Sequence, residues 1–477
     1  MPDGIRNFVD GSGSAGLVVV ANRLPVALTL REGEPTWSVS PGGLATALTP
    51  VLRGSDGVWV GWAGQPGAVA PPAAHEGIAL RTVPISDAEY DGFYVGFANR
   101  TLWPLYHDAV RAPKFDRAWW HTYVTVNQRY AETVAEVAAP GATVWVHDYQ
   151  LQLVPKLLRA IRPDVRIGFF LHIPFPPQEL FAQLPWRREI LEGLLGADLI
   201  GFQVPGAAAN FARLARRFTG AIGTDTTLNF DDRVVRVGAF PISIDTAGLI
   251  ERAMDPAVVK RAEQIRHELG DPEFIMLGVD RLDYTKGIHQ RVRAVAALFG
   301  EGVLTTPRHV MVQIAVPSRE EDAHYQNERE QLDQLVGEIN GEYAQLGHPA
   351  VHYLHQSVPA DELVALYLAA DLMLVTPLRD GMNLVAKEYA ACRIDASGVL
   401  ILSEFAGAAR ELQSAILVNP HDLDGIKEAI KHALTLDPDA ARTRMQRIRR
   451  VVRRRDVHAW ARNFLASLAQ PDATLHG

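Results

Sequence analysis

Arg281 and Lys286 stand in one stretch, 279–287 (VDRLDYTKG), between an apolar run and an amphipathic one. A guanidinium and an ammonium converging near a helix start, beside Gly287, suit a phosphate or diphosphate. The same residues fit a surface loop salt-bridged through Asp280 and Asp283, and the local pattern leaves both readings open. The stretch has neither Walker nor G-x-G-x-x-G spacing. A second stretch, 377–389 (PLRDGMNLVAKEY), follows another apolar run. Asp380, Gly381, Met382 and Asn383 read as a turn that opens a helix near Leu384. Gly381 lets backbone approach a ligand closely, and amides at the helix start suit an anion. Asp380 is an acceptor for sugar hydroxyls, and Glu388 for both hydroxyls of a ribose. The alternative is an N-cap by Asp380 or Asn383, with Glu388 paired to a surface cation.

His172 lies in 169–177 (FFLHIPFPP), where prolines fix a rigid loop. It suits a hydrogen bond to a sugar hydroxyl or proton transfer, or a structural role. His147 and Asp148 sit at another strand end, in 144–149 (VWVHDY). Asp148 either binds an acceptor hydroxyl or holds a neighbouring loop. Arg23 follows the first apolar run. Gly42 and Gly43, in PGGL, permit a backbone anion cradle or form a plain turn. Arg319 is a further cation just past a strand. Trp59, Tyr94 and Trp103 each fit a core as well as a site.

These residues need elements to place them. Short apolar runs alternate with longer amphipathic ones, the α/β pattern. Strands are predicted at 17–22, 57–62, 143–147, 165–171 and 198–202, then at 274–279, 309–316, 351–355, 371–376, 398–403 and 414–418. Most are continuous apolar runs, as parallel strands buried on both faces require. Ile288, Val292, Val295, Ala296 and Phe299 fall on one helical face. A long charged helix is predicted over 321–346, and a basic helical region over 438–468. The latter is a solvated helix face more readily than an RNA-binding arm. The break between the halves falls within 241–272. Ligands of such sheets bind beyond the carboxyl ends of the strands.

Composition limits the function classes. The 477 residues are 48% hydrophobic and 21% charged, with a net charge of −8. Disorder and general nucleic-acid binding are both disfavoured. One cysteine, Cys392, leaves no internal disulfide and no cysteine-rich zinc site. No run of 18 apolar residues predicts a membrane span, and the first residues lack the apolar core of a signal peptide. A cytoplasmic protein is expected.

Five strings together are more specific: VWVHDYQL, GFFLHIPFP, VDRLDYTKG, TPLRDGMNLVAKEY and SEFAGAARELQSAILVNP. With them the chain, from about residue 17 onward, closely resembles the trehalose-6-phosphate synthase family of retaining glycosyltransferases. The resemblance implies an α/β GT-B fold, two doubly wound Rossmann-like domains facing a deep cleft. It implies a tail at 1–16, an acceptor domain at 17–245 and a donor-nucleotide domain at 246–454. A C-terminal helix at 455–477, near Trp460, is expected to pack back on the first domain. The implied reaction moves glucose from a nucleotide diphosphate glucose, UDP-glucose by default with ADP- and GDP-glucose open, to glucose 6-phosphate. The product is α,α-trehalose 6-phosphate.

By resemblance, Arg23, Tyr94, Trp103 and Arg319 hold the acceptor phosphate, and Trp59 and Asp148 lie near the acceptor sugar. Arg281 and Lys286 clamp the donor diphosphate. Asp380, with the backbone of Gly381, Met382, Asn383 and Leu384, meets donor glucose and phosphate. Glu388 takes the ribose, His172 touches the donor sugar, Gly42 and Gly43 form a mobile loop beside the donor, and Val358 lies near the base. Arg281, Lys286, His172 and Asp148 are the candidate catalytic residues. Developing charge on the leaving diphosphate is stabilised by Arg281 and Lys286. No D-x-D pair sits in a diphosphate loop, so no metal and no cofactor is expected. Retention is expected by front-face attack, with domain closure excluding water. A homo-oligomer, dimer or tetramer, is expected from the family. The rival readings are a non-catalytic sugar-phosphate sensor and a transferase with another acceptor.

Overall fold

A computed structural model describes residues 15–31, 34–39, 48–49, 52, 57–65, 74–75, 77–319 and 323–470. The chain divides into two compact units. One runs to Ile242 and takes back the chain from Val457; the other is Ser243–Asp456.

The first unit carries β1 (Ala15–Arg23), β2 (Val26–Arg31), β3 (Glu34–Val39), β4 (Val58–Trp62), β5 (Ala74–His75), β6 (Ile78–Thr82), β7 (Ala138–His147), β8 (Arg166–Phe170), β9 (Leu199–Phe202), β10 (Ile222–Gly223), β11 (Thr227–Phe230) and β12 (Arg233–Ala239). Ten of these form one sheet, in the order β10-β11-β12-β9-β8-β7-β1-β4-β6-β5, and β2 pairs with β3 alone. From β12 to β6 the neighbours are parallel. The order reverses between β1 and β7. Candidate residues therefore gather at one place: Arg23 ends β1, and His147 and Asp148 end β7.

The second unit repeats this plan more simply. Its strands are β13 (Phe274–Arg281), β14 (His309–Val316), β15 (Val351–Leu354), β16 (Leu372–Val375), β17 (Val399–Ser403) and β18 (Ile416–Val418). All are parallel, in the order β15-β14-β13-β16-β17-β18. Numbered within the unit this is 3-2-1-4-5-6, the doubly wound dinucleotide-binding order. The reversal lies between β13 and β16, and the two most charged candidate stretches leave those two strands.

The expected strands are all present, with corrections at the margins. Ala15 and Gly16, read as tail, belong to β1; residues 1–14 lie outside the described residues. β6 and β12 gave no continuous apolar run because most of their side chains are partly or fully exposed. The helix Ile288–Gly300 buries Ile288, Val292, Val295 and Phe299 against Met276, Met311 and Ile401. Apolar contact of this extent, at about 25 cal/mol per Å² buried, is what holds a helix to a sheet. The long charged helix is Ala323–Tyr343.

The basic helical region is two helices, Pro438–Arg454 and Val457–Ala469. The second packs on the first unit. Its Phe464 stacks on Trp145, with ring centroids 4.7 Å apart, and Trp460 Nε1 donates to the Phe240 carbonyl at 3.1 Å. Gly168 of β8 and Gly201 of β9 make room for it. A Cβ on either would lie 2.7 Å from the Phe464 ring.

Candidate active site

The loop after β13 is built around a buried carboxylate. Asp283 Oδ1 accepts from Thr285 N at 2.9 Å and Thr285 Oγ1 at 2.8 Å, which turns the chain into a short 3-10 segment, Tyr284–Lys286. Its Oδ2 accepts from Tyr325 Oη at 3.0 Å and faces Arg319 Nη1 at 3.4 Å. Arg319 also donates to Tyr325 Oη. Burial pushes the Asp283 carboxyl up, but the charges of Arg319, Arg281 and Lys286 prevail and hold its pKa down to about 2. One carboxylate thus sits among all three cations that the sequence marked in this unit. Gly287 follows at φ +61°, and a Cβ there would drive into the Thr376 carbonyl. Only glycine lets this loop lie against the end of β16.

The loop after β16 is tied to the first. Lys286 Nζ meets Asp380 Oδ2 at 2.6 Å, and Leu378 N donates to Thr285 O at 2.7 Å. Asn383, at φ +98°, caps the helix Leu384–Cys392 by accepting from Ala386 N at 3.1 Å, and its Nδ2 donates to Asp380 Oδ2 at 3.2 Å. A third loop braces the turn. Gly407 N donates to Asp380 O at 3.2 Å and Ala408 N to Met382 O at 2.9 Å. Met382 buries its side chain, so what it offers a ligand is backbone. The first amides of the helix leave its N-terminal end with a positive partial charge.

Glu388 lies on the same helix and accepts from Tyr367 Oη at 2.9 Å. Burial raises its carboxyl pKa, and the Tyr367 hydrogen bond opposes that only in part. The expected alternatives resolve here. Asn383 is the N-cap, and Glu388 meets a tyrosine rather than a surface cation. Asp280 and Asp283 are buried; Asp280 pairs with the buried Arg291 at the start of the next helix. Val358 is partly buried in the connection from β15 to the helix Ala360–Ala369.

The first unit presents its candidates differently. Arg23 is exposed. Its guanidinium lies over Trp62, 5.2 Å from the ring centroid, and over Tyr94, at 5.4 Å. Tyr94 comes from a π-helix, Tyr90–Leu102, whose Tyr90 stacks on it at 5.5 Å. Trp59 is buried, and its Nε1 donates to the Arg23 carbonyl at 3.0 Å. It fixes the arginine's backbone from beneath. Trp103 is also buried, its ring 4.1 Å from His107 and 5.6 Å from Tyr149.

Asp148 has φ +74°, a strained value for a non-glycine residue. Its Oδ1 accepts from His172 N at 3.2 Å. His172 Nε2 lies 3.1 Å from His147 Nδ1. Burial lowers both imidazole pKa values, that of His172 to about 3 and that of His147 well below normal. Both rings are neutral at neutral pH. Gly42 and Gly43 lie outside the described residues.

Within the second unit the structure brings together Arg281, Lys286, Arg319, Asp380, Asn383 and the Gly381–Leu384 backbone. Within the first it brings Arg23 to Tyr94, and Asp148 to His172. Arg23 and Arg319, both assigned to the acceptor phosphate, belong to different units. Sequence reasoning missed Trp62, Tyr325 and Tyr367 as partners, and read Asp283 as a surface salt-bridge partner where it is buried. Trp62 alone had a signal, as the last residue of a strand whose carboxyl end was already of interest.

The sequence profile of Glycosyltransferase family 20 matches residues 15–470. The chain belongs to glycosyltransferase family 20. A trehalose-6-phosphate synthase from Mycobacterium sp. (strain KMS) is 55% identical over 473 residues, covering 97% of each chain. A solved E. coli structure bound with UDP-2-fluoro glucose is 34% identical at a TM-score of 0.87, over 95% of this chain and 99% of its own. An alpha,alpha-trehalose-phosphate synthase (UDP-forming) from Burkholderia xenovorans, in complex with glucose-6-phosphate, is 33% identical at 0.87, over 95% and 100%. The family resemblance and the GT-B class are borne out, and the family-20 chain is a glycosyltransferase. Among the described residues no helix is long and apolar enough to cross a membrane.

Proposed function

We propose that the chain is a retaining glucosyltransferase that moves glucose from UDP-glucose to glucose 6-phosphate, giving α,α-trehalose 6-phosphate and UDP. The observation that carries this is the linked pair of loops at the reversal point of the second sheet. Lys286 and Arg281, with the amides of Gly381 to Leu384, make a diphosphate site. The relatives bound to a UDP-glucose analogue and to glucose-6-phosphate support the two substrates.

The chemistry follows from charge. The bond from the anomeric carbon to the diphosphate oxygen breaks, and its electron pair leaves with UDP. Lys286 and Arg281 bind that oxygen cluster more strongly as its charge grows, which lowers the barrier. Asp380, which pairs with Lys286, accepts from glucose hydroxyls, and Lys286 meets phosphate. The acceptor hydroxyl attacks from the face the diphosphate leaves. Its proton passes to the departing phosphate oxygen, and attack from that face keeps the donor carbon α. Arg23, backed by Tyr94 and Trp62, takes the acceptor phosphate, and this holds the attacking hydroxyl in place. Asp148 takes an acceptor hydroxyl, His172 a donor hydroxyl, and Glu388 the ribose.

Purified protein with UDP-, ADP- or GDP-glucose and glucose 6-phosphate, with chelator present, tests this. Release of nucleoside diphosphate with a non-reducing disaccharide phosphate is expected, fastest with UDP-glucose. Binding of glucose 6-phosphate without any nucleotide release would overturn the reading.

A further inference from the structure

His147 is buried at the end of β7, with its ring packed on Trp145 at 4.7 Å between centroids. Its Nδ1 faces His172 Nε2 at 3.1 Å. Its Nε2 is buried and has no hydrogen-bond partner among the described residues. Trp460 and Phe170 complete the aromatic wall, each 6.4 Å from the His147 ring. Two neutral imidazoles share one proton across that 3.1 Å contact, so only two arrangements exist. In one, His172 donates from Nε2, and His147 must then carry its proton on Nε2, pointing into the aromatic wall. In the other, His147 donates from Nδ1 and leaves only a lone pair on Nε2. A buried N–H without an acceptor is the rarer and costlier defect. The second arrangement is favoured.

The consequence falls on His172. Its Nε2 is an acceptor, so its own proton is on Nδ1. Among the described residues Nδ1 has no protein partner, and His172 keeps part of its surface open. The backbone is fixed as well: Asp148 Oδ1 accepts its N–H at 3.2 Å, and Gln203 Nε2 donates to its carbonyl at 3.4 Å. We propose that His147 is a positioning residue that locks His172 as the Nδ1–H tautomer, so that His172 offers an N–H donor, not a lone pair, to a hydroxyl oxygen of the donor sugar. The last clause rests on the function proposed above; the tautomer does not.

Nitrogen-15 NMR of the full chain labelled at histidine tests the tautomer directly, with His172 assigned by its disappearance in His172→Ala. A pyrrole-type Nδ1 and a pyridine-type Nε2 are expected at neutral pH; the reverse pattern overturns the proposal. A near-isosteric pair of variants tests the consequence. His147→Asn keeps a donor near the old Nδ1 and is expected to hold the donor KM within about threefold. His147→Asp offers only an acceptor, so His172 must carry a proton on Nε2, and at a pH where nitrogen-15 NMR shows its ring neutral it has given up the one on Nδ1. The donor KM is then expected to rise at least about tenfold, with the glucose 6-phosphate KM changed less than about twofold. An equal rise in both KM values, or none in a folded His147→Asp protein with the reversed NMR pattern, overturns the positioning role. A wild-type Nδ1–H signal beside a silent His172→Ala would count against the donor-sugar reading alone.

Discussion

The two units share a 3-2-1-4-5-6 run of parallel strands, yet they hold the candidate cations Lys286 and Arg23 in opposite ways. In the second unit positive side chains are matched by carboxylates: Lys286 by Asp380, Arg319 by Asp283, Arg291 by Asp280. In the first, Arg23 rests on the faces of Trp62 and Tyr94. The ion-paired cations are partly or fully buried, where an unmatched charge costs several kcal/mol. Arg23 is exposed, where water does that work and flat rings need only aim it.

The strongest way to break this contrast is to remove a clamp residue. Arg281→Ala or Lys286→Ala is expected to cut kcat on the order of a thousandfold, with nucleotide binding, read by isothermal titration, weakened far less. If kcat survives, the leaving charge has another partner. Arg23→Ala is expected to raise the glucose 6-phosphate KM on the order of a hundredfold, the worth of a lost charge-assisted contact, and to spare the donor KM. A donor effect instead would reverse the roles of the units. Asp283→Asn sharpens the comparison, because it removes the anion shared by Arg319, Arg281 and Lys286. Both KM values should rise about tenfold in initial-rate assays; a change in only one would mean that the shared carboxylate serves a single substrate. Trp62→Leu should raise the glucose 6-phosphate KM about fivefold, in line with a cation–π contact of about 1 kcal/mol.

The smallest effect is on stability. His147 and His172 have folded pKa values below the ordinary 6.5. Below that pH the unfolded chain binds protons that the folded one refuses. Stability therefore falls as pH drops from about 6.5, by up to about 1.4 kcal/mol per pH unit for each ring. Urea midpoints at pH 7 and pH 5 should differ less in a His147→Asn, His172→Asn double variant.

The second unit was the more legible in sequence. Its central strands β13, β14, β16 and β17 are buried along nearly their whole length, so each was a continuous apolar run, and its chemistry lay in two contiguous loops. In the first unit, β6 and β12 escaped because most of each strand is partly or fully exposed. Candidate residues were legible where a loop leaves a strand; their partners were not. Tyr325 stands 42 residues from Asp283, and Tyr367 stands 21 from Glu388. Trp62 and Arg23 come from different strands. Such pairings are products of folding, with no local spacing to betray them. Trp59 and Trp103, read as site residues by resemblance, turn out to be buried, and Trp59 supports Arg23 from within.

One feature of the chain's path bears on how the molecule is made. The N-terminal sheet is covered on β8 and β9 by Phe464 and Leu468, residues near the end of the polypeptide. During synthesis that sheet emerges first and stays bare until some 220 further residues have left the ribosome, at about 5–20 residues per second. For those seconds Gly168 and Gly201 line an apolar slot open to water, and a nascent chain stalled before Val457 is expected to leave it uncovered.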